Sequence, residues 1–141
     1  MTAIDTNVFV GLLAGTQDEA EVAQRALEEA AARGSLLLCP AVYAELQAMP
    51  GMSEEELDAF VEANDLTVAW ALEAEVWRAA GRAYAAYASR RRKQKGDKGP
   101  RRILADFVIG AHAELTAGKL LTLDVKLYRA NFTKLEVIVP T

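Results

Sequence analysis

Apolar residues along this chain follow two alternating rhythms: short runs suited to buried strands, and longer stretches with helical spacing. Residues 1–4 form the first run, which stops at Asp5-Thr6-Asn7. Residues 18–33 carry Val22, Ala23, Ala26, Leu27 and Ala30 on one helical stripe, with Thr16 or Asp18 placed to cap the start and Gly34 the end. Leu36-Leu37-Leu38-Cys39 predicts a second strand, and Pro40 suits the first turn of a helix carrying Tyr43, Glu45 and Leu46. After the break at Pro50-Gly51, Ser53 and Glu56 make a capping-box pattern for a helix to about residue 63. Leu66-Thr67-Val68 is a third short strand. Residues 71–92 predict an Ala-rich helix whose stripe is Val76, Ala80, Ala83, Tyr84 and Tyr87. Residues 94–100 are a loop, and residues 102–117 a helix stopped by Gly118. Residues 120–123 and 137–139 complete five strands. This alternation predicts an α/β fold with a parallel sheet. At 141 residues the chain suits one domain, residues 1–141, with one core.

Composition narrows the functional classes. The apolar runs are broken by charge, so none suits a membrane span, and no signal peptide is visible. A lone Cys39 fits a reducing cytoplasm, and with a single His it excludes a thiolate or imidazole zinc cage. Neither a GxGxxG nor a P-loop is present. The net charge of −4 conceals an asymmetry: residues 90–102 hold eight basic residues and one acid, whereas the remainder has eight basic residues and nineteen acids. A strip comprising Arg90, Arg91, Arg92, Lys93, Lys95, Lys98, Arg101 and Arg102 is therefore a candidate phosphate-binding surface, with a solvated loop as the alternative.

Four acids stand out. Asp5 follows the first strand, Glu45 follows the second, Asp106 lies in Ile103-Leu104-Ala105-Asp106-Phe107-Val108-Ile109, and Asp124 ends Leu120-Leu121-Thr122-Leu123-Asp124. A single Asp after a strand can be merely a helix cap. Glu45 and Asp106 sit within apolar helical runs, where an unpaired buried acid is costly. Parallel α/β sheets gather ligands at the carboxyl edge of their strands, so all four can meet there. Clustered carboxylates call for a cation, and all-oxygen donors suit a hard divalent ion such as Mg²⁺. His112, six residues past Asp106, turns away from that face and reads as a packing or surface residue. Trp70, Trp77 and the tyrosines read as core residues rather than platforms for stacked bases.

These motifs, in this order, resemble PIN-domain nucleases, and among them VapC-type toxins of toxin–antitoxin pairs. Ile4-Asp5-Thr6-Asn7-Val8-Phe9 resembles the opening DTN motif, Glu45 the second acid, residues 106–113 the D-x-x-I-x-A-x-A helix, and Thr122-Leu123-Asp124 the fourth motif. The resemblance covers essentially the whole chain. It implies a single PIN-like domain with a five-stranded parallel sheet flanked by helices. It also implies Mg²⁺- or Mn²⁺-dependent cleavage of RNA at Asp5, Glu45, Asp106 and Asp124, with Thr6, Asn7 and Thr122 orienting groups from close by. An antitoxin partner, a homodimer and a cytoplasmic location follow from the same resemblance. One position departs: where many relatives carry a further acid two residues after the fourth-motif Asp, this chain has Lys126. A catalytically silent module binding RNA or protein is the alternative. A phosphatase is disfavoured, because the DxD pattern needs an acid where Asn7 stands.

Overall fold

Strands as apolar as Leu36-Leu37-Leu38 need cover on both faces, and helices supply it. The structure, a computed structural model, describes residues 1–141. Five strands, β1 (Thr2–Ile4), β2 (Leu36–Leu38), β3 (Leu66–Val68), β4 (Lys119–Leu121) and β5 (Glu136–Ile138), form one sheet in the order β3-β2-β1-β4-β5. Every pair is parallel; Ala3 sits opposite Leu37 on one side and Leu120 on the other. The α/β class and the five-stranded parallel sheet are thus as the sequence predicts. The connecting helices are α1 (Thr6–Ala14), α2 (Gln17–Arg33), α3 (Pro40–Gln47), α4 (Glu54–Ala63), α5 (Ala74–Lys93), α6 (Leu104–Thr116) and α7 (Val125–Asn131). No helix is long and apolar enough to cross a membrane.

From β1 the chain moves outward to β2 and β3, then returns to lay β4 against the other side of β1. The carboxyl ends of β1 and β4 therefore flank the point where strand order reverses, the crevice in which open α/β sheets hold ligands. The capping residues act as read: the Thr16 hydroxyl accepts the Glu19 N–H at 3.2 Å, and the Ser53 hydroxyl accepts that of Glu56 at 3.0 Å.

Two short helices escape the periodicity reading. α1 and α7 begin directly after Asp5 and Asp124, whose carboxylates accept the N–H groups of Thr6 at 2.8 Å and Leu127 at 3.4 Å. Each of these acids is therefore a helix cap as well as a member of the acid cluster. Strand β4 stops at Leu121, because Leu123 is exposed beyond the sheet. Helix α6 starts at Leu104 rather than Arg102, whose N–H donates to the Tyr87 hydroxyl at 2.7 Å instead of joining the helix.

The core reading of the tryptophans is corrected. Trp70 and Trp77 are 64% and 54% exposed. Val76 and Ala80 turn the core stripe of α5 inward, and Trp77 lies about 100° round the helix from Val76, so it faces out. Trp70 packs edge-on against Tyr43, with ring centroids 4.8 Å apart. The tyrosines do belong to the core: Tyr43 and Tyr128 are buried, and Tyr84 and Tyr87 pack against Phe107. His112 is buried as packing, and burial lowers its pKa.

Gly110 is where α6 admits the ring of Phe132. A Cβ there would lie 2.2 Å from that ring, which is itself wedged against Phe107 and Tyr128. Gly110→Ala gains about 1 kcal/mol of helix propensity but overpacks a site with little room to relax. A net loss of about 1–2 kcal/mol in denaturant unfolding is expected. A variant as stable as the parent would mean that the ring shifts freely.

Candidate active site

The β1–β4 crevice is organised by Thr122, which is fully buried at the end of β4. Its hydroxyl donates to Asp5 Oδ2 at 2.7 Å and accepts the Asp124 N–H at 3.0 Å, so it ties the first acid to the backbone of the fourth. Asn7 stitches the same seam from α1. Its Oδ1 accepts the Leu123 N–H at 3.1 Å, and its Nδ2 lies 3.3 Å from both Asp5 Oδ2 and Thr122 Oγ1. On the other side of the motif, the Thr6 hydroxyl donates to Glu45 Oε1 at 2.6 Å and draws the α3 carboxylate to the crevice. Asp106, in the first turn of α6, accepts the Ile103 N–H at 3.3 Å.

The four acids share one electrostatic environment. Asp5 is only 6% exposed, and its carboxyl is pushed up to about 6, chiefly by burial. The hydrogen bonds from Thr122 and Thr6 oppose that rise, and the charge of Asp106 adds to it. Asp106 is also raised: burial leads, the Ile103 N–H and the Arg102 charge oppose, and Glu45 and Asp124 add to the rise. Asp106 is thus coupled to each of the other three acids, and the ionised states of Asp5 and Asp106 are penalised.

Against this stands one cation. Arg102 pairs with Asp124 through two prongs, Nη1–Oδ2 at 2.7 Å and Nη2–Oδ1 at 3.5 Å. The run of basic residues assigned Arg102 to the strip; the fold brings it into the acid site. Tyr128 was likewise overlooked. Its side chain is wholly buried on α7, four residues after Asp124, and its hydroxyl lies toward the Asp5 carboxylate without closing to a short hydrogen bond. Burial first, and then the carboxylates of Asp5, Asp106 and Asp124, push its pKa upward, so it stays a neutral phenol.

The donor set fits a hard divalent ion better than any other group. It is all oxygen, short of positive charge, and bordered by the buried Tyr128 hydroxyl. No three acids form a ready-made cage; Asp5 is bonded to Thr122 and Asp124 to Arg102. Burial pushes the Cys39 thiol up to about 11, away from the reactive thiolate form.

The rest of the strip lies to one side of the acids. Arg90, Arg91, Arg92 and Lys93 form the last turn of α5, and Lys95, Lys98 and Arg101 lie in the following loop. The Arg91 guanidinium gathers the carbonyls of Lys98, Gly99 and Pro100 at 3.2–3.4 Å, and Arg90 donates to Asn131 at 2.6 Å. A cleft of about 280 Å³ opens here, with Arg90, Arg91, Lys98, Arg102 and Lys126 on its walls and no acid. A separate apolar groove of about 520 Å³ runs between Trp70, Trp77, Leu72, Leu104 and Val108.

No curated protein matches the chain in sequence. Among solved structures, it resembles a chain of VapBC2 from Rickettsia felis bound to a promoter DNA fragment, at 18% identity and a TM-score of 0.67, covering 98% of this chain and 97% of that one. A toxin–antitoxin complex from Klebsiella pneumoniae gives 18% identity and a TM-score of 0.69 over 100% and 98% of the two chains. FitAcB from Neisseria gonorrhoeae gives 18% and 0.66 over 99% and 98%. At such identity these likenesses speak for the fold. The family model described as PIN domain matches residues 2–133, and with the sheet order and the crevice already in view, the chain belongs to the PIN domain family.

Proposed function

We propose that this protein is a divalent-metal-dependent endoribonuclease that hydrolyses RNA phosphodiester bonds and acts as the toxin of a toxin–antitoxin pair. The observation that carries the reading is the buried Asp5 carboxylate, fastened by Thr122 at the strand-order reversal and coupled to Asp106, within a PIN domain. Asp5, Glu45, Asp106 and Asp124 would hold Mg²⁺ or Mn²⁺, which when bound there supplies an activated water and neutralises charge on the scissile phosphate. The chain's own groups prepare the site. Thr122 and Asn7 fix the orientation of Asp5, and Thr6 fixes that of Glu45. Exposed cations of the strip draw a polyanion toward a crevice that would otherwise repel it.

The partners follow from the surface. The apolar groove at Trp70 and Trp77 suits an antitoxin segment that buries aromatic anchors. The structures it resembles come from toxin–antitoxin complexes. A homodimer and a cytoplasmic location belong to the same reading. A second reading, a catalytically silent module that binds RNA or protein, is favoured by Lys126 and by the Arg102–Asp124 pair, which lowers the acidity of the site.

Cleavage of a mixed RNA substrate decides between the two readings. With Mn²⁺ the protein should cut RNA, and with excess EDTA it should not. Cleavage undiminished in chelator, or none in any divalent ion, would sink the nuclease reading.

The pH dependence has an unusual sign. Asp5 titrates near 6 in the folded protein and near 3.8 when exposed, so the folded state holds its proton more tightly. Its contribution is complete below the unfolded value and is lost as pH rises to about 6, a loss on the order of 3 kcal/mol. In EDTA at pH 7.5, Asp5→Asn should thus melt at or above the parent's temperature, and the difference should shrink at pH 4. Added Mn²⁺ should raise the parent's melting temperature and leave the variant's unmoved. A variant markedly less stable than the parent at pH 7.5 would show the carboxylate to be structural.

The strip is tested away from Arg91, which fastens the loop. Arg92, Lys93 and Lys95 are exposed, and replacing all three with Ala should weaken RNA binding. The slope of log K against log salt should fall by up to about 3. An unchanged slope would return these residues to the solvent.

A further inference from the structure

Arg102 is the only cation paired with any of the four acids, and the fold delivers it there by a built route. Tyr87, projecting from α5, takes the Arg102 N–H at 2.7 Å. Arg91, one turn further along α5, clamps the carbonyls of Lys98, Gly99 and Pro100. The segment leading to Arg102 is thus fastened at both levels before its guanidinium reaches Asp124. Once there, the fork covers both oxygens of the Asp124 carboxylate, and its charge reaches Asp106 as well. The pair is about three-quarters withdrawn from solvent, at 26% and 28% side-chain exposure, where screening is weak. A guanidinium stays charged at every working pH, so the positive charge held here is permanent.

We propose that Arg102 is a resident cation of the acid site, holding Asp124 in the place of a second divalent ion. Resting on the metal-site reading above, it makes the free protein a one-ion site, with metal held on the Asp5–Asp106 side. Lys126, exposed on the cleft that Arg102 borders, supplies positive charge at that end where an acid would have supplied a ligand. Arg102 is accordingly a positioning residue for Asp124: metal and guanidinium compete for the same two oxygens.

Mn²⁺ binding to the whole protein, followed by calorimetry and by the electron-spin-resonance signal of free Mn²⁺, tests this without an activity readout. Arg102→Met keeps the length of the side chain and removes the fork. It should tighten Mn²⁺ binding by at least about tenfold or add a second equivalent, whereas Lys126→Met, which removes a neighbouring charge, should change it by less than about threefold. Arg102→Lys should fall between. Asn remains a good helix cap, so Asp124→Asn should preserve α7, and in that background the gain from Arg102→Met should vanish. Equal gains from Arg102→Met and Lys126→Met would reduce the effect to net charge and overturn the proposal. So would a gain that persists without the Asp124 carboxylate. Failure of all these proteins to bind Mn²⁺ would instead overturn the metal-site reading itself.

Discussion

A carboxylate buried between the first and fourth strands has to be held by something other than water, and Thr122 holds Asp5 at 2.7 Å. The geometry of the crevice depends on that bond. Because Thr122 also accepts the Asp124 N–H, rotating its hydroxyl would loosen two acids at once. Because Asn7 reaches both Asp5 and the Leu123 backbone, α1 cannot swing without disturbing β4. Sheet order and site geometry are therefore one constraint: β1 and β4 must be neighbours for Thr122 to reach Asp5, and their adjacency is what creates the crevice.

The fold was legible because short leucine-rich strands and striped helices are strong local signals, and nearly every predicted element lies within a few residues of its place. What escaped was short and capped by functional residues. Helices α1 and α7 have few turns in which a period can develop, and each starts at an acid that the sequence offered as either a cap or a ligand. A strand-end Asp is both cap and candidate ligand, so the choice posed between those readings was a false one at Asp5 and Asp124.

At the site, the sequence order of the acids suggested a meeting place, and the crevice couples Asp106 to Asp5, Glu45 and Asp124. Side-chain direction was harder to read. Trp77 differs from core-facing Val76 by one residue, yet that one residue turns it to solvent. Tyr128 looked like an ordinary core aromatic and is one by burial, but its hydroxyl ends among the acids. Arg102 was hidden by its neighbours: within a run of eight basic residues nothing local distinguishes the one that folds inward. Only the long-range anchor at Tyr87, fifteen residues upstream, separates it from the rest.

Charge balance ties these observations together. The body outside residues 90–102 is strongly acidic, and its most crowded acids sit where a polyanion would have to approach. A single arginine reduces that repulsion at Asp124 but leaves Asp5 and Asp106 with raised pKa values, so the free site is under-neutralised on one side and satisfied on the other. An added cation gains most on the unsatisfied side, where it relieves desolvated charge without first breaking an ion pair. The asymmetry of the acid cluster, more than the number of its carboxylates, therefore decides where positive charge enters first.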